Sequence, residues 1–168
     1  VVSEYFGRLY GYQQAHKPIL QGLQPLDEVL QKRAHSSLYS AFGRFSYNIY
    51  RAGYKPAPLY KLTASTSVAN TPTRIVRGLS THYVPIVVPP GAKGLGVGIA
   101  SAGGPNPEVK LVVGGPKGRV AEGVLREKGH LQFFVPTFHN AKERASVMLI
   151  VTSGRQVGTA YRIAYQAT

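Results

Sequence analysis

The sequence predicts a mainly β fold: an eight-stranded antiparallel β-sandwich or jelly roll, preceded by an aromatic α-helical arm. Three observations carry this reading. From Pro72 onward, short β-rich runs alternate apolar and polar residues. Gly and Pro turn signals separate them at the roughly 8–12-residue spacing of sandwiches and barrels. Before Pro56-Ala57-Pro58 the apolar residues recur with helical period instead, and no helical run divides the later strands, which disfavours a parallel α/β sheet.

The arm spans 1–58, with helices expected at about 2–13 and 25–52. Val2, Tyr5, Phe6 and Leu9 make the i, i+3, i+4, i+7 stripe of a short amphipathic helix, which Gly7 weakens. Pro25 suits a first helical turn. Asp27 and Glu28 then favour the positive helix N-terminus. The stripe continues through Leu30, Ala34, Leu38, Phe42, Phe45 and Ile49, and Gly53 is the expected stop. Of the 17 Tyr and Phe residues, 11 lie at or before Tyr60. Tyr39, Tyr47, Tyr50 and Tyr54 fall partly off the stripe, so two readings stay open: they pack on the β-domain, or they meet another protein, where tyrosine is favoured. The expected partner contacts are Tyr39, Phe42, Arg44, Phe45, Tyr47, Tyr50 and Arg51.

Residues 59–71 read as a linker and 72–168 as the sandwich. The expected strands are 73–79, 82–88, 94–100, 108–113, 119–125, 130–135, 146–152 and 159–166. Thr159, Tyr161, Ile163 and Tyr165 share one face, and Val147-Met148-Leu149-Ile150-Val151 is apolar on both faces, as in a central strand. Leu95, Val97 and Ile99 make a greasy face, while Gly94, Gly96 and Gly98 leave the opposite face nearly bare. A bare face admits close approach; the helical arm or a partner is expected near it, or else the strand turns a tight corner of the sandwich.

Residues 82–168 resemble the pre-peptidase C-terminal type of β-sandwich. The resemblance rests on Tyr83-Val84-Pro85-Ile86-Val87-Val88-Pro89-Pro90-Gly91-Ala92, then the Leu95/Val97/Ile99 strand, Glu108–Val113 and Tyr161-Arg162-Ile163-Ala164-Tyr165. It implies a sandwich. Where that family has an Asp-rich strand this chain has Pro107-Glu108-Val109-Lys110-Leu111, which removes the carboxylates a calcium ion would need.

Charge narrows the partners. Twenty Lys and Arg face seven acids, for a net +13, with +4 before residue 58 and +9 after it. Such a chain is drawn to anionic partners: acidic protein, anionic lipid headgroups or RNA. The absence of cysteine excludes disulfides, thiolate metal sites and a cysteine nucleophile. No apolar run reaches the roughly 20 residues of a membrane span.

The Gly-rich stretch 87–119 fails as a nucleotide site. Neither Lys93 nor Lys117 is followed by Ser or Thr, as a P-loop requires, and Gly94, Gly96 and Gly98 do not make G-x-G-x-x-G. Asp27 is the sole aspartate, and no G-x-S-x-G elbow is present. His130, His139 and Glu143 could conceivably hold zinc, but lone histidines at strand ends and in loops are usually surface or satisfied core residues. No catalytic, cofactor or metal site is assigned.

The expected role is a non-catalytic structural or accessory subunit of a large multiprotein assembly. The start at Val1 and the basic, cysteine-free composition favour a mitochondrial respiratory-chain or ATP-synthase complex, after removal of a presequence. The alternatives are a ribosomal or other RNA-associated protein, and a secreted or periplasmic sandwich that binds a polyanion or carbohydrate.

Overall fold

The computed structural model describes residues 31–32, 38–126 and 128–168, apart from the side chains of residues 38 and 39. Two helices of this part are α1 (Leu38–Arg51) and α2 (Ala141–Ala145). The strands are β1 (Leu62–Thr63), β2 (Ala69–Asn70), β3 (Arg74–Val76), β4 (Ser80–Val87), β5 (Leu95–Gly103), β6 (Glu108–Val113), β7 (Arg119–Val120), β8 (Gly123–Arg126), β9 (Leu131–Phe134), β10 (Val147–Ser153) and β11 (Thr159–Ala167). They form two stacked sheets, ordered β1-β4-β10-β6-β7 and β2-β11-β5-β9-β8, with β3 also on β11. Pairing is antiparallel except for β1 with β4.

Period-two alternation fills the space between the sheets. Val84 and Ile86 of β4, Leu95, Val97 and Ile99 of β5, Leu111 of β6, Leu149 of β10, and Tyr161 and Ile163 of β11 all enter one core. Burying each such side chain stabilises the fold by about 1.5–3 kcal/mol relative to exposure.

β10 is central and apolar on both faces because each face is covered. Val147, Leu149 and Val151 enter the intersheet core. Ile150 and the half-buried Met148 lie on the outer face, with Tyr83 of β4 and Val112 of β6, where Tyr47, Ile49 and Tyr50 of α1 pack on them. The helix is a third layer. Polar contacts fix its position: the Tyr83 hydroxyl donates to the Ser46 carbonyl at 2.7 Å, and the Ser46 and Thr81 hydroxyls lie 2.6 Å apart. Gly43 permits the close approach, since a Cβ there would stand 2.1 Å from Glu108 Oε2.

α1 ends as expected at Gly53, which adopts φ +103°. Tyr54 N–H bonds to the Ile49 carbonyl and Gly53 N–H to that of Tyr50, both at 3.0 Å, a Schellman cap. The helix expected at 2–13 and most of the first part of the longer one lie outside the described residues.

The stretch expected as a linker, 59–71, instead carries β1 and β2, one on each sheet. Residues 119–125, read as one strand, divide at Ala121-Glu122 into β7 and β8 and cross from one sheet to the other. These changes account for eleven described strands where eight were expected.

Candidate cationic docking pocket

The residues expected to meet a partner divide once placed in the fold. Phe42, Phe45 and Tyr50 are 7%, 7% and 4% exposed, so their aromatic faces are internal. Tyr47 is half-buried beneath the Lys110 ammonium, 5.7 Å from its ring centroid. The side chain of Tyr39 lies outside the described residues. Arg44 and Arg51 are exposed. Tyr50 is taken up by the outer face of β10, which needed a cover that α1 supplies; Phe42 and Phe45 are buried with their rings 5.7 Å apart, and neither belongs to the cluster on that face.

The bare glycine face is also relocated. Gly96 and Gly98 lie on the outer side of the six-stranded sheet, whereas α1 covers the five-stranded one. A Cβ at Gly98 would meet the Phe133 ring at 3.2 Å, at Gly96 only the Gln166 carbonyl at 3.9 Å, and at Gly94 the Thr168 hydroxyl at 2.7 Å and the Pro136 carbonyl at 2.9 Å.

Arg51 leads to the most suggestive surface feature. It borders an open pocket of about 530 Å³ formed by three chain segments. The end of α1 contributes Arg51, Ala52 and Gly53; the β6–β7 turn contributes Gly114, Gly115, Pro116 and Lys117; the α2–β10 junction contributes Lys142, Ala145 and Ser146. The floor is apolar and small, and the rim carries three cations with no acid in the lining.

Local sequence builds this shape. Gly114 and Gly115 adopt φ of +93° and +86°, which favour glycine. Both amides bond to the Ser146 carbonyl, at 2.8 and 3.3 Å, which fastens the turn to the start of β10. The Schellman cap consumes carbonyls that would otherwise repel an anion. The Ser146 hydroxyl bonds to Tyr50, whose phenol is raised above its usual pKa chiefly by burial.

The nearest acid is occupied. The Glu143 carboxylate accepts from Arg119 Nε at 2.9 Å and Nη2 at 3.2 Å, and from the His139 N–H at 2.8 Å. Its pKa is lowered first by the Arg119 hydrogen bonds and then by that of His139. Asn140 caps α2 by accepting from the Glu143 N–H at 3.0 Å. Glu143 is thus a structural clamp, and no group of three His, Cys, Asp or Glu suited to a metal occurs among the described residues. Electrostatically, the pocket suits a carboxylate or phosphate carried on an apolar stem.

A second polar constellation was not visible in the sequence. The Tyr161 hydroxyl lies 2.6 Å from both the Tyr60 hydroxyl and His82 Nδ1. The Arg74 guanidinium sits 4.4 Å over the Tyr60 ring, and its buried Nε has no hydrogen-bond partner among the described residues. Burial, with Arg74 adding, lowers the pKa of His82, and burial raises those of Tyr60 and Tyr161, so the hydrogen-bonded three are neutral at pH 7. They close one end of the sandwich. His82 and Tyr161 belong to strands 79 positions apart, and only the pairing of sheets brings them together.

Fold and pocket together define a β-sandwich with a helical layer and a surface pocket bordered by three cationic side chains. No protein-family model matches the chain, and no curated protein matches it at a significant level. Among solved structures it is similar to the pre-peptidase C-terminal domain of collagenase from Bacillus anthracis, at 11% identity and a TM-score of 0.49, over 67% of this chain and 100% of that one. A family 6 carbohydrate-binding module is more distant, at 9% identity and a TM-score of 0.34, over 67% of this chain and 100% of that one.

Proposed function

We propose that this chain is a non-catalytic accessory subunit that docks in a larger assembly by receiving an acidic group of a neighbouring protein in the Arg51/Lys117/Lys142 pocket. The observation that carries this is the pairing of an apolar floor with three rim cations and no acid in the lining. The wider surface agrees. Of the seven acids, only Glu108, Glu122 and Glu143 are among the described residues, and Glu108 and Glu143 are paired with Lys110 and Arg119. The remaining positive field speeds encounter with an acidic partner. A mitochondrial respiratory-chain or ATP-synthase complex is the proposed setting, supported by the basic composition. There anionic lipid headgroups offer the same chemistry to the surface around the pocket. RNA binding is the alternative the charge supports, and a secreted polyanion- or carbohydrate-binding module is the alternative that suits an isolated sandwich.

The test is size analysis of the native material beside a Lys117→Glu/Lys142→Glu variant. The expected result is co-migration of the unaltered chain with a large particle, and a variant that folds but is released. A free monomer in the native extract overturns the subunit reading. Release by nuclease, with binding that falls steeply as salt rises, replaces it with RNA association.

A further inference from the structure

The six-stranded sheet ends at β8, and β8 is an open edge. All four residues, Gly123, Val124, Leu125 and Arg126, are exposed, with Val124 at 54% and Leu125 at 66%. One side of β8 pairs with β9, in unbroken register from Gly123↔Phe134 to Arg126↔Leu131. The other side has no strand beside it among the described residues. Natural edges are blunted by shortness, proline, a bulge or charge on the edge, and of these β8 has its shortness, four residues, and the charge of Arg126. β8 has no proline and no register shift, and Arg126 lies over the Phe133 ring at 5.3 Å, on the sheet face.

Clefts flank this edge on both faces. One, of about 570 Å³, is bordered by Val124, Arg126 and Phe133. The other, of about 300 Å³, is bordered by Leu125, Val109, Asn106 and Gln132, with Glu108 as its one charged residue, so it suits an apolar and not an acidic side chain. A strand laid beside β8 projects successive side chains to opposite faces, and so into both clefts in turn. Main-chain hydrogen bonds to the edge provide affinity, and the two clefts provide selectivity. The charged residues around the outer cleft are Arg119, held by Glu143, together with Arg126 and Glu122, and the chain as a whole is +13.

We infer that β8 is a strand-addition site for an extended acidic segment of a partner protein. Acidic side chains of that segment face Arg126, and apolar ones enter the cleft beside Leu125. This surface shares no lining residue with the Arg51/Lys117/Lys142 pocket, and the two fail independently.

The experiment uses the full chain and a short synthetic peptide of alternating Glu and Val, compared with its Lys and Val counterpart and with the acidic peptide N-methylated at alternate residues. Affinity is read by fluorescence anisotropy, and the site by amide hydrogen exchange. The expected result is binding of the acidic peptide with slowed exchange within 123–126. The N-methylated peptide, which cannot complete the ladder, does not bind. Arg126→Glu weakens the acidic peptide by about tenfold or more and strengthens the basic one, the behaviour of a charge-reading edge, while Lys117→Glu leaves both unchanged. Failure of the acidic peptide to bind, equal binding of its N-methylated form, protection mapping elsewhere, or β8 protected by self-association of the free chain would each overturn the inference.

Discussion

Replacing Gly43 with alanine tests whether α1 is a fitted layer or a loosely resting one. In an exposed helix interior the change gains about 1 kcal/mol, because glycine is the poorer helix former. Here the added Cβ would stand 2.1, 2.2 and 2.5 Å from Oε2, Cδ and Oε1 of Glu108. Ordinary contact begins near 3.4 Å, so the carboxylate must move by more than about 1 Å, a gap that strips most of a short-range contact. Its freedom is limited. Glu108 lies beneath α1, its Oε2 is buried without a hydrogen-bond partner among the described residues, and Lys110 Nζ is 3.7 Å from Oε1. Disturbing a charged, buried hydrogen-bonding group costs about 1.5–3 kcal/mol, which exceeds the propensity gain. Gly43→Ala alone is therefore expected to destabilise by about 1 kcal/mol. In a Glu108→Ala background the same substitution should stabilise by about 1 kcal/mol, a coupling near 2 kcal/mol. Urea titration of the four proteins, with unchanged m values, measures it. Stabilisation by Gly43→Ala in the otherwise unaltered chain refutes the close-packing argument.

Two further predictions follow from the same geometry. The first is pH dependence. Burial raises the pKa of Glu108, so its ionised form burdens the fold; that burden is absent below the unfolded-state value and grows as pH rises through the folded one, and Glu108→Gln should flatten this loss. Glu143 is lowered by Arg119 and His139, and His82 by burial. Their stabilisation is present above the unfolded-state values and is lost as pH falls toward the folded ones, below about 6.5 for His82. Thermal midpoints of Glu108→Gln, Glu143→Gln and His82→Asn against pH should separate the three; parallel curves refute the assignment. The second concerns glycines of similar appearance. Gly94→Ala meets the Pro136 carbonyl and should cost about 1–3 kcal/mol, while Gly96→Ala makes only an ordinary contact with the Gln166 carbonyl and should stay within about 0.5 kcal/mol of neutral by chemical denaturation. Equal effects would show that the spacing, and not the local neighbours, governs this strand.

Much of the sandwich was legible because period-two alternation records which face meets the core. Glu108–Val113 has the expected bounds, and the Leu95/Val97/Ile99 face is inside as expected. The short β1 and β2 escaped notice because two residues cannot display a period, and their hydrogen bonds depend on β4 and β11 being in place. The division at Ala121-Glu122 escaped because 119–125 carries β-type residues on both sides of it, with no Pro and only the lone Gly123 to mark the change of sheet.

Site residues were less legible. Helical period identifies a stripe, not what covers it, so Phe42, Phe45 and Tyr50 read equally as core or as contact surface. For Tyr50 the deciding signal was elsewhere, in Met148 and Ile150, whose outward-facing apolar side chains demanded a cover. The pocket joins Arg51, Lys117 and Lys142 from segments far apart in sequence. Only the turn chemistry of Gly114 and Gly115 hinted at one wall.

The topology also sets an order of events at the ribosome. β11 is the strand on which β2, β3 and β5 all assemble, and β10 joins β4 to β6. Both follow the strands they pair with in the sequence. Neither sheet can close until residues 147–167 have emerged, and such distant pairings are slow to form. In the interval α1 has been synthesised without its seat, leaving Tyr47, Ile49 and Tyr50 without the face they pack on. Vectorial synthesis thus creates a period in which the aromatic helix is the stickiest part of the nascent chain, and faster release of residues 147–167 would shorten it.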